Sequence, residues 1–205
     1  MIDIAWTDNS ITTGFFTESI SKTILNDSNK RKIIKNIHVA HTSSISEGRN
    51  FCVEEFLNNN SEYLMFIDSD IFIDIENIYY IYDMMSENNI NIASGIYGHV
   101  DGSISILKAS PNGYMYGYRS MELSELTDSM VKVDAVGAGC LMVHRDVYED
   151  SYIRTGKNRK WFYESLSNSG VFGEDISFCQ RVVEHGFDIY CLPSVRVKHY
   201  KFDKF

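Results

Sequence analysis

The chain is poor in proline and cysteine, and it lacks a long apolar run. Its 205 residues include only two prolines and four cysteines. With so little proline there is no Pro-rich linker, and no repeat, low-complexity tract or charge block marks an internal boundary. One domain over residues 1–205 is therefore expected, large enough to bury roughly two-thirds of its unfolded surface. Cys52, Cys140, Cys179 and Cys191 lie far apart without Cys-x-x-Cys spacing, which predicts four reduced, buried thiols. The longest apolar region is interrupted by Asp68, Asp70 and Asp74, so no stretch reaches the ~18 apolar residues of a membrane span. The opening Met1-Ile2-Asp3-Ile4-Ala5-Trp6 has no basic region or cleavage site, and a cytoplasmic setting is expected.

Positive charge is also scarce: 19 Lys and Arg face 28 Asp and Glu, for a net charge of −9. Such a field repels nucleic acid and anionic membrane, and excludes nucleic acid as a partner. An acidic protein that holds a phosphate ester needs local cations or a metal ion.

What is present is a foldable pattern, with 44% hydrophobic and 13% aromatic residues. Short apolar runs at residues 2–7, 37–41, 63–67 and 92–97 predict buried strands. Between them, a helix is predicted from a Ser46 cap through Cys52, Val53, Phe56 and Leu57 to Asn58. A second is predicted from Asp74, with Ile75, Ile78, Tyr82 and Met85 on one side. Strand and helix alternating over the first hundred residues argue for a parallel sheet covered on both faces. Beyond residue 101 shorter pieces follow. They comprise an Asn112-Gly113 turn, strands at 130–135 and 139–143, a helix over 174–185 stopped by Gly186, and extended segments at 189–192 and 195–199.

Asp68-Ser69-Asp70 directly follows the run Tyr63-Leu64-Met65-Phe66-Ile67. Ligands of parallel α/β sheets sit beyond the carboxyl ends of strands, and side chains two apart share a face of an extended chain. Two hard oxygen donors placed there suit Mg²⁺ or Mn²⁺, and equally suit a strand-end turn. Glu174 and Asp175 open the last predicted helix, where an anion is favoured; they are candidate catalytic acids or plain caps. Ser169-Gly170-Val171-Phe172-Gly173 reads as a mobile approach loop. His199, on the final extended segment, offers an imidazole ligand.

These motifs in this order resemble GT-A glycosyltransferases, close to the inverting family 2 group and to small transferases of phages and large DNA viruses. The resemblance rests on Gly48-Arg49-Asn50, Phe66-Ile67-Asp68-Ser69-Asp70-Ile71 and Ala93-Ser94-Gly95-Ile96-Tyr97. It continues through the segments 133–142, 173–179 and 193–199, and covers most of the chain from about residue 37.

The resemblance implies an α/β, Rossmann-like, mainly parallel mixed sheet flanked by helices, with a nucleotide-binding half (1–100) and an acceptor and catalytic half (101–205). It implies a UDP-sugar donor, Mn²⁺ or Mg²⁺, and a glycan or other hydroxyl acceptor. Asp68 then approaches the ribose or base, Asp70 binds the metal, His199 completes the metal shell and Asp175 is the base. Trp6, Thr7 and Asp8 become candidates for the nucleobase, with Trp6 stacking on uracil. Arg49 meets either the diphosphate or a neighbouring carboxylate.

The expected reaction is hexosyl transfer with inversion. Its alternatives are retention, a sugar-phosphate nucleotidyltransferase, and a nucleotide-sugar-binding module without turnover. A phage or viral source places the protein in the host cytoplasm, and one domain of a larger polypeptide would read the same. The glycines of Val136-Gly137-Ala138-Gly139 are expected to admit donor or acceptor close to the backbone. Tyr114, Tyr116 and Tyr118 are expected to pack rather than bind, and His99 and Asp101 are candidates for the acceptor pocket.

Overall fold

A computed structural model describes residues 1–113, 117–154, 160–168 and 170–200. The first half runs β1 (Ile2–Asp8), α1 (Gly14–Asn29), β2 (Ile34–His41), α2 (Ile45–Leu57), β3 (Tyr63–Ile67), β4 (Ile71–Phe72), α3 (Ile75–Asn88) and β5 (Ile92–Ile96). The second half begins with β6 (Ile106–Ala109), β7 (Tyr118–Ser120), β8 (Val131–Val133), β9 (Ala135–Val136) and β10 (Cys140–His144). It ends with α4 (Arg145–Glu149), β11 (Ser165–Ser167), β12 (Gly170–Phe172), α5 (Glu174–Glu184), β13 (Ile189–Arg196) and β14 (Lys198–His199).

Seven strands form one sheet in the order β2-β1-β3-β10-β5-β13-β8. The β1 strand is parallel to β2 and β3, and β13 to β5, while β10 runs antiparallel between β3 and β5. Alternation along the strands divides the core between the two faces. Ala5, Leu64 and Phe66 pack with Cys52, Val53 and Phe56 of α2 and Phe178 and Val182 of α5. Ile4, Met65 and Ile67 pack with Phe16 and Ile20 of α1 and Ile75, Ile78 and Met85 of α3. Covering both faces of a mainly parallel sheet is what its near-continuous apolar strands require.

Three expectations are corrected. The cap of α2 lies two residues earlier than Ser46, at Ser44, which accepts from the Glu47 amide; Ser44 and Glu47 have capping-box spacing. Residues 170–172 are not a loop but the second arm of a hairpin, β12 pairing antiparallel with β11; Ser169 lies outside the described residues. The third is an omission. The sequence reading passed over α1, whose apolar stripe Phe16, Ile20 and Ile24 is diluted by the buried Ser19, Thr23 and Asp27. Those groups are satisfied locally: Ser19 Oγ donates to the Ile73 carbonyl at 2.6 Å, and Asp27 accepts from Tyr79 and from the Ile33 and Ile34 amides.

All four cysteines are free and buried, and burial pushes each thiol up to about 12, so they are unreactive packing residues. Among the described residues no helix is long and apolar enough to cross a membrane.

Candidate functional site

The carboxyl ends of β1, β2, β3 and β5 meet at one rim. Since β10 is antiparallel, its beginning reaches the same rim, where the Gly139 carbonyl accepts from the Asp68 amide at 3.1 Å. Asp68, Ser69 and Asp70 fill the turn between β3 and β4. Two further segments clamp this turn: Thr13, the cap of α1, donates its amide to the Ser69 carbonyl, and Tyr200 donates its amide to the Asp70 carbonyl.

Beside the turn lies a cavity of about 320 Å³ lined by Thr7, Asp8, Asn9, Thr42, Ser43, Ile45, Asp68, Ser69 and Asp70. That volume lies at the lower end of the range for small-molecule sites. Trp6 points to the other face of β1, into a second cavity of about 490 Å³ shared with Phe16, Ile20 and Val39. Its indole packs edge-on against Phe16 at 5.1 Å and donates Nε1 to Asp8. Thr7 and Asp8 thus join the aspartate pair, whereas Trp6 does not line that cavity. Burial opposes the Asp8 charge, but bonds from His41, the Ser10 amide and Trp6 outweigh it and hold its carboxyl below the usual range.

Arg49 is buried and meets carboxylates. It donates Nη2 to Asp68 Oδ1 at 2.9 Å and Nη1 to Glu174 Oε1, joining α2, the β3 turn and the start of α5. Burial works against its charge, yet Asp68, Glu174 and Asp175 outweigh this and keep the guanidinium above its ordinary range. Burial raises Glu174, with Arg49 pulling it down and Asp175 pushing it up. The adjacent Asp175 is half-buried, and its Oδ1 accepts from the Ile176 amide at 2.8 Å.

His199 reaches Asp70 across 129 residues of sequence, with Nε2 3.2 Å from Asp70 Oδ2. A backbone ladder sets this approach, β14 pairing with β4 so that His199 lies opposite Ile71. His199 Nδ1 lies 3.0 Å from the Gly98 carbonyl. A carbonyl only accepts, so Nδ1 carries a proton and Nε2 turns toward the carboxylate. Two lone-pair atoms at that separation require a proton or a metal ion between them. Neighbouring ligands of an octahedral ion bound at about 2.1 Å stand about 3.0 Å apart, so the pair fits Mg²⁺ or Mn²⁺. Among the described residues no group of three or more His, Cys, Asp or Glu is placed to hold a metal. An ion held by Asp70 and His199 would need its remaining ligands from outside these side chains.

Within the 136–139 segment, Gly139 makes room for the side chains around it. A Cβ on Gly139 would stand 2.8 Å from Asp68 Oδ2, 2.9 Å from Ile71 Cδ1 and 3.1 Å from Tyr97 Cζ. Tyr97 also accepts from the Gly139 amide, and its ring lies 5.2 Å from that of His199. The His99 ring is 6.0 Å from His199, which puts it at the rim, while Asp101 is spent on its own turn, accepting from Ser103. Tyr118 packs edge-on against Phe172 at 5.4 Å; Tyr114 and Tyr116 lie outside the described residues.

Sequence reasoning missed Asn50. Its amide accepts from the Trp161 and Phe162 backbone nitrogens and donates to the Ser46 and Phe162 carbonyls, fastening residues 161–162 beneath Arg49. Its place beside Arg49 in the Gly48-Arg49-Asn50 motif was the available signal.

Solved structures match this architecture over nearly the whole chain. S. aureus TarS 1-349 in complex with UDP-GlcNAc superposes over 100% of it with a TM-score of 0.61 at 14% identity. GalNAc-T7 with UDP, GalNAc and Mn²⁺ covers 99% of it with a TM-score of 0.59 at 10% identity. A197 from STIV covers 98% of it with a TM-score of 0.60 at 16% identity. The chain has the GT-A fold. At these identities the likeness is one of fold. The GT-A chain spans 87% of A197 from STIV, but only 59% and 44% of the TarS and GalNAc-T7 chains. No protein-family model and no curated protein matches its sequence.

Proposed function

We propose that this GT-A protein is a metal-dependent glycosyltransferase that moves a hexose-type sugar from a UDP-sugar to a hydroxyl acceptor with inversion. The observation that carries this reading is the approach of Asp70 and His199 to 3.2 Å, with Asp70 lining a cavity of about 320 Å³. GalNAc-T7 with UDP, GalNAc and Mn²⁺ and TarS with UDP-GlcNAc add the ligand classes that this fold accommodates elsewhere.

Asp70 and His199 hold the divalent ion, which when bound neutralises the diphosphate and stabilises the departing UDP. Thr7, Asp8 and the turn Asp68-Ser69-Asp70 receive the nucleoside. Arg49 is spent on Asp68 and Glu174, so it fixes these acids rather than reaching the diphosphate. Glu174, tied to Arg49, is a positioning group.

Asp175 is the base. Its place in the first turn of α5 favours the ionised carboxylate. With Oδ1 held by the Ile176 amide, Oδ2 takes the proton from the acceptor hydroxyl as the oxygen attacks the anomeric carbon.

The test is a thermal-shift panel of nucleotide sugars with and without Mn²⁺. A ligand that binds only the folded protein raises Tm. The expected result is a rise with a UDP-sugar that requires Mn²⁺ and is absent in Asp70→Ala. A rise of equal size without metal, or one retained by the variant, removes the metal assignment.

A further inference from the structure

The hairpin that leads into α5 is turned inside out. Along β11 and β12, Ser165 and Phe172 face the protein: Ser165 Oγ lies 2.7 Å from Ser177 Oγ on α5, and Phe172 packs against Tyr118. Leu166 and Val171, directly opposite each other in the ladder, face solvent at 81% and 63% exposure. A two-stranded ribbon normally buries its apolar pair and exposes its serines. Here the anchored face is polar and aromatic, and the free face is aliphatic.

The two side chains also project from a fixed place. Val171 precedes the proposed base Asp175 by four residues, so at about 3.5 Å per residue it lies within roughly 14 Å of that carboxylate. No residue between Ser165 and Gly173 is charged, although the chain carries a net charge of −9. An acceptor whose hydroxyl reaches Asp175 has this uncharged aliphatic lip within reach of its remaining body.

We infer that Leu166 and Val171 form an acceptor subsite for the apolar portion of an amphipathic acceptor, a hydroxyl-bearing head group joined to an alkyl or comparable aglycone. This rests on the sugar-transfer reading above and names its acceptor class. The lip binds the aglycone and touches no reacting atom; Leu166 and Val171 are specificity residues. Burying aliphatic surface against an alkyl chain lowers KM and leaves kcat unchanged, because the contact is the same before and during reaction.

The experiment compares octyl with methyl glycosides of glucose, galactose and N-acetylglucosamine, below the micelle concentration of the octyl compounds. Methyl NMR signals of Leu166 and Val171 are followed together with UDP release. The octyl glycosides are expected to shift both methyl signals and to show a KM about tenfold below that of the methyl glycosides. In the double variant Leu166→Ser, Val171→Ser this preference is expected to vanish while kcat on methyl glycosides and Tm stay the same. Sugar transfer without methyl shifts, or an octyl preference that survives the double variant, overturns the inference alone. Methyl shifts without UDP release from any UDP-sugar overturn the sugar-transfer reading and the acceptor assignment with it.

Discussion

The two ends of the central sheet treat carboxylates in opposite ways. At the end where β1 begins, Asp3 is fully buried and saturated. It accepts from Asn36 at 3.0 Å, His38 at 2.7 Å, Asn59 at 2.7 Å and Ser61 at 2.5 Å. Arg145 seals the same end by donating to the carbonyls of Phe56, Asn59 and Ser61. At the other end Asp68, Glu174 and Asp175 gather round the Arg49 guanidinium and Asp70 lies beside His199, and their ion pairs among the described residues come from Arg49 and His199. An acid whose lone pairs are all taken has nothing to offer a ligand, whereas a surplus of anionic oxygen attracts a cation. The contrast is between Asp3 and this acid cluster, since Asp8 at the same rim is itself satisfied by His41, the Ser10 amide and Trp6.

The largest contrast is expected from Asp70→Ala, which should lower sugar transfer by about 1,000-fold while leaving Tm within a degree or two, read by UDP release and calorimetry. Asp3→Asn should do the reverse. Its amide turns an N–H toward Asn59 or Ser61, which costs about 2–4 kcal/mol in denaturant unfolding and leaves turnover per folded molecule unchanged.

The pH dependence of this second effect has a definite sign. Burial pushes Asp3 up, but hydrogen bonds from His38, Ser61, Asn59 and Asn36 outweigh it and hold its acid below the ordinary 3.8. The stabilisation is therefore complete above 3.8 and lost as pH falls through the lower folded value. Wild type and variant should converge in strong acid, and a stability gap that persists there would contradict the comparison.

Gly139→Ala probes the boundary between the two behaviours. Its methyl meets the Asp68 carboxylate, Ile71 and Tyr97, so it should cost about 1–3 kcal/mol of stability and also lower turnover, the two losses appearing in one variant. Tyr148→Phe should have the smallest effect. The Tyr148 hydroxyl and Arg49 Nε are buried without a hydrogen-bond partner among the described residues. Removing the hydroxyl should leave stability unchanged or raise it by up to about 1 kcal/mol, measured by urea unfolding.

The sheet was legible where burial is apolar. The runs ending at Ile67 and Ile96 announce β3 and β5, and the faces of α2, α3 and α5 repeat at helical spacing. The α1 helix was less legible, because Ser19, Thr23 and Asp27 share its inward side with Phe16 and Ile20, and their hydrogen bonds leave no hydropathy signal. At the rim, the turn Asp68-Ser69-Asp70 follows from its strand, and Asp175 from its helix start. The bonds from Arg49 to Asp68 and Glu174 join residues 19 and 125 positions apart, and nothing local distinguishes them from contact with a diphosphate. The outward turn of Leu166 and Val171 was equally hidden, since the alternation Ser165-Leu166-Ser167 also describes a strand facing inward.

The pairing of β14 with β4 bears on how the protein comes into being. A nascent chain released as far as β13 already has every strand of the large sheet, yet it holds only half of the Asp70 and His199 pair, whose members are separated by 129 positions. Docking of β13 beside β5 has by then closed that loop, so β14, which begins two residues later, pairs with β4 at little further entropic cost. In the proposed reading, the cation site is thus completed by a two-residue strand that docks on a scaffold already formed.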